Sequence, residues 1–88
     1  MERTIWKFPV HVTDEITLTM PCDAEPLCVQ VQGQGVYLWA LVSADAPNAE
    51  RRFRWVGTGH PVDFAGRYIG TIQQMGGALV FHLFMESD

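Results

Sequence analysis

The residues best suited to chemistry sit close together in the second half of the chain. Arg51, Arg52 and Arg54 are followed by Gly57-Thr58-Gly59-His60-Pro61. Two glycines around a threonine let backbone amides turn toward a ligand and form an anion-binding nest. Pro61 biases His60 toward an extended conformation, so its ring projects from the chain. The arginines add cationic donors suited to phosphate or carboxylate. These residues predict a site for a small anion built from Gly57, Thr58, Gly59 and His60 with Arg52 and Arg54. Trp39 or Tyr37 would supply stacking. A plainer reading stands beside it: GTGHP turns the end of a strand and His60 bonds a nearby carbonyl. A Gly-x-Gly that does not open a helix matches neither the P-loop nor the dinucleotide fingerprint.

Other chemistries have less support. His11, His60, His82, Cys22 and Cys28 are the soft metal ligands, and no two have zinc-knuckle or HxxxH spacing. His82 sits within an apolar run, where a hydrogen-bonded structural histidine is the ordinary case. Nucleophilic catalysis needs a nucleophile, a base and an orienter. Cys22 or Cys28 with His60 would serve only if the fold joined them. Asp14, Glu15, Asp23, Glu25, Asp45 and Glu50 fall in or beside polar loops, where acids are solvated. The sequence therefore predicts no enzyme, no metal and no cofactor.

The elements that must position these residues are strands. Tyr68 to Phe84 reads as two strands joined at Gly76-Gly77, a dipeptide that supplies positive φ for a tight hairpin. Its second arm, from Ala78, is apolar on both faces, as is Val36 to Val42. Such strands belong in the middle of a sheet with cover on both sides. Thr4 to Val12 is a strand whose Pro9 confines it to an edge or a bulge. Glu15 to Met20 alternates, with Ile16, Leu18 and Met20 inward. In Leu27 to Gln32, Leu27, Val29 and Val31 share one face, and Gly33-Gln34-Gly35 closes a hairpin. In Glu50 to Gly57, Arg52, Arg54 and Val56 share one face and Phe53 and Trp55 the other. Thr58 to Gly66 is irregular, with at most one helical turn near Val62 to Ala65. Seven short strands punctuated by Gly and Pro predict an all-β fold, a small antiparallel β-sandwich or partly open barrel, with a meander as the default order.

Eighty-eight residues make one domain, and 48% hydrophobic with 18% charged describes an ordered globule. A formal charge of −4 disfavours general nucleic-acid binding, which needs a positive field. No apolar run approaches the ~20 residues that span a bilayer. No secretory signal is visible, so the two cysteines are expected as free thiols in a cytoplasm. Three Trp, five Phe and two Tyr are difficult to hide in so small a chain. Some excess is expected on a partner surface or in a homo-oligomer. Trp6, Tyr37 and Trp39 are the candidates.

The segments TIWKFPV, LCVQVQ, LWALV with DAP, FRWVGTGHP and YIGTIQQMGGALVFHLF carry a resemblance over nearly the whole chain. It resembles a family of short uncharacterised proteins from tailed phages and prophages of proteobacteria, a domain of unknown function. The resemblance implies a protein made in a bacterial cytoplasm and carries no activity. By analogy with other small phage proteins, it suggests a non-enzymatic accessory protein. It would sequester a small anionic, nucleotide-derived ligand as an anti-defence trap, or block a host protein. The rivals are a virion assembly protein acting through strand edges and a small hydrolase using His60.

Overall fold

A computed structural model of the chain describes residues 2–87. Seven strands follow in order: β1 (Arg3–Pro9), β2 (Glu15–Pro21), β3 (Glu25–Gln32), β4 (Gly35–Ser43), β5 (Asn48–Gly57), β6 (Gly66–Gln74) and β7 (Leu79–Glu86). They form two antiparallel sheets, β1-β4-β3 and β2-β5-β7-β6. The sheets pack together as a sandwich; β1 and β2 are unpaired edges, and the β3 and β6 edges lie against each other. The all-β expectation holds, in its sandwich form and not as a barrel. No described helix is long and apolar enough to cross a membrane.

The two strands apolar on both faces are indeed central. β4 lies between β1 and β3, and β7 between β5 and β6. β1 is an edge strand, as Pro9 requires. The meander does not hold. Only β3-β4 and β6-β7 are hairpins, and β2 skips across the sandwich to pair with β5. The reason is burial: Ile16, Leu18 and Met20 line up with the inward side of β5, whose Phe53 is fully buried. A β1-β2 hairpin would have left that face uncovered.

Alternation sends Val36, Leu38, Ala40 and Val42 of β4 inward, and Phe53, Trp55, Ile72 and Leu83 meet them from the other sheet. Full burial of each large member contributes roughly 1.5–3 kcal/mol. The Trp55 indole N–H donates to the His11 carbonyl at 2.9 Å and ties the β1–β2 connection to the core. At the β3/β6 side the sheets approach closely. A Cβ on Gly70 would lie 2.9 Å from Val29 Cγ1, so this position has room only for glycine.

Two local expectations are corrected. β3 does not alternate throughout, because its register shifts between Pro26 and Cys28. That bulge turns Leu27 out to solvent, while Val29 stays in the core. The β6–β7 turn is not a two-residue one: Gln74 pairs with Leu79 across a single 3-10 turn, Met75–Gly77. Met75, Gly76 and Gly77 all have positive φ, which two glycines make cheap. The irregular connection is as expected, and residues 61–65 form no helical turn.

Candidate functional site

β5 ends at Gly57, and its outward face carries Arg52 and Arg54 as the alternation predicts. Both guanidinium groups already have partners. Arg52 bonds Glu15 at 2.6 Å and lies 3.9 Å from Glu86. Arg54 lies 3.7 Å from Glu15, 3.7 Å from Asp63 and 3.9 Å from Glu86. The Glu15 carboxylate, directly bonded to Arg52, holds that guanidinium above its ordinary pKa. One Glu86 oxygen is buried without a hydrogen bond and faces both arginines. Two positive charges thus meet three negative ones. Exposed pairs of this kind contribute little to the stability of the fold. Their effect on an incoming anion is larger, because the cluster is net negative before any ligand arrives.

The glycine-rich loop is committed to its own turn. The Thr58 N–H donates to the Val80 carbonyl at 3.4 Å, and the His60 N–H to the Gly57 carbonyl at 3.1 Å. Gly59 takes φ +88°, a conformation side chains resist. The His60 ring lies over Gly57, where a Cβ would sit 3.2 Å from its Nδ1. Turn geometry and ring packing therefore account for both glycines. Arg54 and His60 do share one cleft of about 230 Å³, with Asp14, Asp63 and Phe64. A larger cleft, about 380 Å³, lies elsewhere, near Gln34, Tyr37 and Gln74, and His11 and the Tyr37 phenol are its titratable lining groups.

Thr58 is engaged in a row the sequence did not suggest. Its hydroxyl meets His82 Nε2 at 2.8 Å, Thr71 meets His82 Nδ1 at 2.8 Å, and Thr71 in turn meets the Tyr68 hydroxyl. His82 is therefore hydrogen-bonded at both nitrogens. One nitrogen accepts and the other donates when the ring is neutral. The pairing of Thr71 with His82 across β6 and β7 explains the row, and only strand register could have revealed it.

Trp39 and Tyr37 stand on the other side of the molecule. They point outward from β4, opposite Leu38 and Ala40, so they lie on the face away from the arginines. The eight residues singled out from sequence thus split between two opposite faces and do not form one site. Cys28 sits beside Trp39 in register and Cys22 in the β2–β3 loop, both free, and neither belongs to the His60 cleft. Among the described residues, no group of three His, Cys, Asp or Glu side chains is placed to hold a metal.

The outward face of β1-β4-β3 has a definite layout. Ile5 pairs with Leu41 and Lys7 with Trp39, while Cys28 flanks Trp39 from β3. Ile5 is 55% exposed. Tyr37 and Trp39 meet edge-on at 6.2 Å. Each end of the strip is bridged by a cation. Arg3 reaches toward Asp23 and Glu25, and Lys7 lies 4.5 Å over the Tyr37 ring and bonds Gln32 at 3.0 Å. Asp23 accepts from Ser43 at 3.1 Å, and this bonding to Ser43, more than nearby Arg3, holds its carboxyl below the usual value. β7 has the same two-faced pattern, yet its outer face is roofed. Phe64 and Tyr68 each pack edge-on against Phe84 at 5.6 Å. β4 has no such aromatic roof.

No curated protein and no solved structure matches the chain. A family model does match it along its whole length: the chain belongs to the family described as Domain of unknown function (DUF7352), over residues 1–88.

Proposed function

We propose that this protein is a non-enzymatic binding module that acts by occupying a partner protein. The binding surface is the outward face of β1-β4-β3. The observation that carries the reading is the apolar strip formed by exposed Ile5 of β1 beside half-buried Trp39 and Leu41 of β4, a strand whose composition calls for cover on both faces. A partner of matching chemistry presents an apolar patch with a carboxylate opposite Lys7. Among the described residues, Lys7 has no acidic partner of its own within ion-pair distance, unlike Arg3, Arg52 and Arg54. The phage resemblance suggests a host protein in a bacterial cytoplasm as that partner. The alternative of an anionic small-molecule trap has less support, because three carboxylates already face Arg52 and Arg54.

Tagged protein incubated with host lysate tests the choice. A protein captured by the wild type is expected to be lost with Trp39→Ala and with Ile5→Ser, and kept with Arg54→Ala. Native mass spectrometry reads the rival directly. A small anion retained by the wild type and released by Arg54→Ala would overturn the reading.

A further inference from the structure

β1 presents an unpaired strand edge along Arg3–Pro9. Every residue of it is exposed except Phe8, which is half-buried. Open edges of this length are templates for another strand. The side chains on its inward face add a second anomaly. Trp6 pairs with the fully buried Ala40 and Phe8 with the fully buried Leu38, so both stand on the core side of the sheet. Trp6 is nevertheless 38% exposed, and its ring lies 6.4 Å from that of Phe8. An aromatic pair therefore lies at the open flank of the sandwich, beside the free backbone edge.

We infer that β1 pairs with β1 of a second copy, antiparallel about a two-fold axis through Trp6. Register selects this arrangement. Centring on Trp6 sets Trp6 opposite Trp6, Thr4 opposite Phe8, Ile5 opposite Lys7 and Arg3 opposite Pro9. No like charges meet, and all seven residues overlap. Centring on Ile5 sets Arg3 against Lys7, and centring on Lys7 sets two lysines together. Like charges directly opposite are destabilising in a sheet. Centring on Thr4 shortens the overlap. A two-fold between residues sets inward against outward side chains and breaks the pleat. Pro9, which donates no ladder bond, falls in the last pair, where the loss is least.

The product is one continuous six-stranded sheet, with the Trp6 and Phe8 rings of both copies closing over the seam. The two-fold axis is normal to the sheet, so both strips of Ile5, Trp39 and Leu41 face the same way. The dimer deepens the binding reading by making that surface bivalent, but the pairing stands on β1 alone.

Sedimentation over a broad concentration range tests the inference. The wild type is expected to dimerise. Trp6→Lys and Trp6→Glu are each expected to weaken association about thirtyfold, as loss of a central aromatic does. Mixing those two variants is expected to restore a heterodimer, since the altered residues would face each other. With Cys22→Ser and Cys28→Ser in place, Thr4→Cys mixed with Phe8→Cys is expected to form a disulfide that Thr4→Cys alone does not. A wild type that stays monomeric at every concentration overturns the inference. So does a Trp6→Lys protein that dimerises normally with an unchanged circular dichroism spectrum. A wild type that stays monomeric yet captures a partner would fail this inference and spare the binding reading, and a wild type that dimerises but captures no partner would fail only the latter.

Discussion

Arg52 and Arg54 show how a residue's neighbours decide its role. Sequence places both on one face of a strand, and both lie there. Their meaning changes because β2 pairs with β5 and sets Glu15 opposite Arg54, while Glu86 arrives on β7. Those carboxylates already partner both guanidinium groups, and on the proposed reading they keep anions out. Replacing Glu15→Gln and Glu86→Gln together is expected to open it. In a calorimetric titration with inorganic phosphate, the double variant is expected to bind and the wild type to give no heat. Equal binding by both would show that the carboxylates do not block the site. The positions of the arginines were legible in the sequence, and their pairing was not, since an ion pair between residues 15 and 52 exists only after the strand order is known. The GTGHP turn was legible as the turn at a strand end; that the His60 ring packs over Gly57 and that Gly59 supplies the left-handed backbone was not.

Among the elements, β4 and β7 pose the same problem and solve it differently. Both are apolar on two faces and both are central. β7 gains Phe64 from the 58–65 connection and Tyr68 from β6, while β4 keeps Tyr37, Trp39 and Leu41 outward. Composition revealed that each strand needed cover on two faces. It did not reveal which one would lack it, because that depends on where an irregular connection falls. Alternation located the inward residues of β2 and separated the two faces of β5. It failed in β3, where the bulge after Pro26 moves Leu27 outward. Strand order was not legible, because hairpin signals say nothing about strands that pair across the chain.

The close approach of β3 and β6 carries a prediction at this scale. Gly70→Ala drives a methyl group against Val29 and is expected to cost about 1–3 kcal/mol in urea denaturation. Val29→Ala in the same chain is expected to recover part of that loss, so the double variant falls short of the sum. Simple additivity would mean that the two sheets do not meet at this point.

At the scale of the whole molecule, the sandwich has two unlike outer faces. One, on β2-β5-β7-β6, is closed by ion pairs, stacked rings and the Thr58–His82–Thr71 row. The other, on β1-β4-β3, is apolar at its centre, bounded by Arg3 and Lys7, and open. Its β1 edge adds a route to a second copy that would double the open face. Partner binding is the proposed role of that face, and the groups on the opposite face partner one another.

Photo-crosslinking in the cell that makes the protein tests this division most directly. A benzoylphenylalanine placed at position 39 reports on the open face, and one at position 54 reports on the closed face. The account expects a discrete protein adduct from position 39 and none from position 54. An adduct from position 54 with none from position 39 would contradict it and return the function to the arginine face.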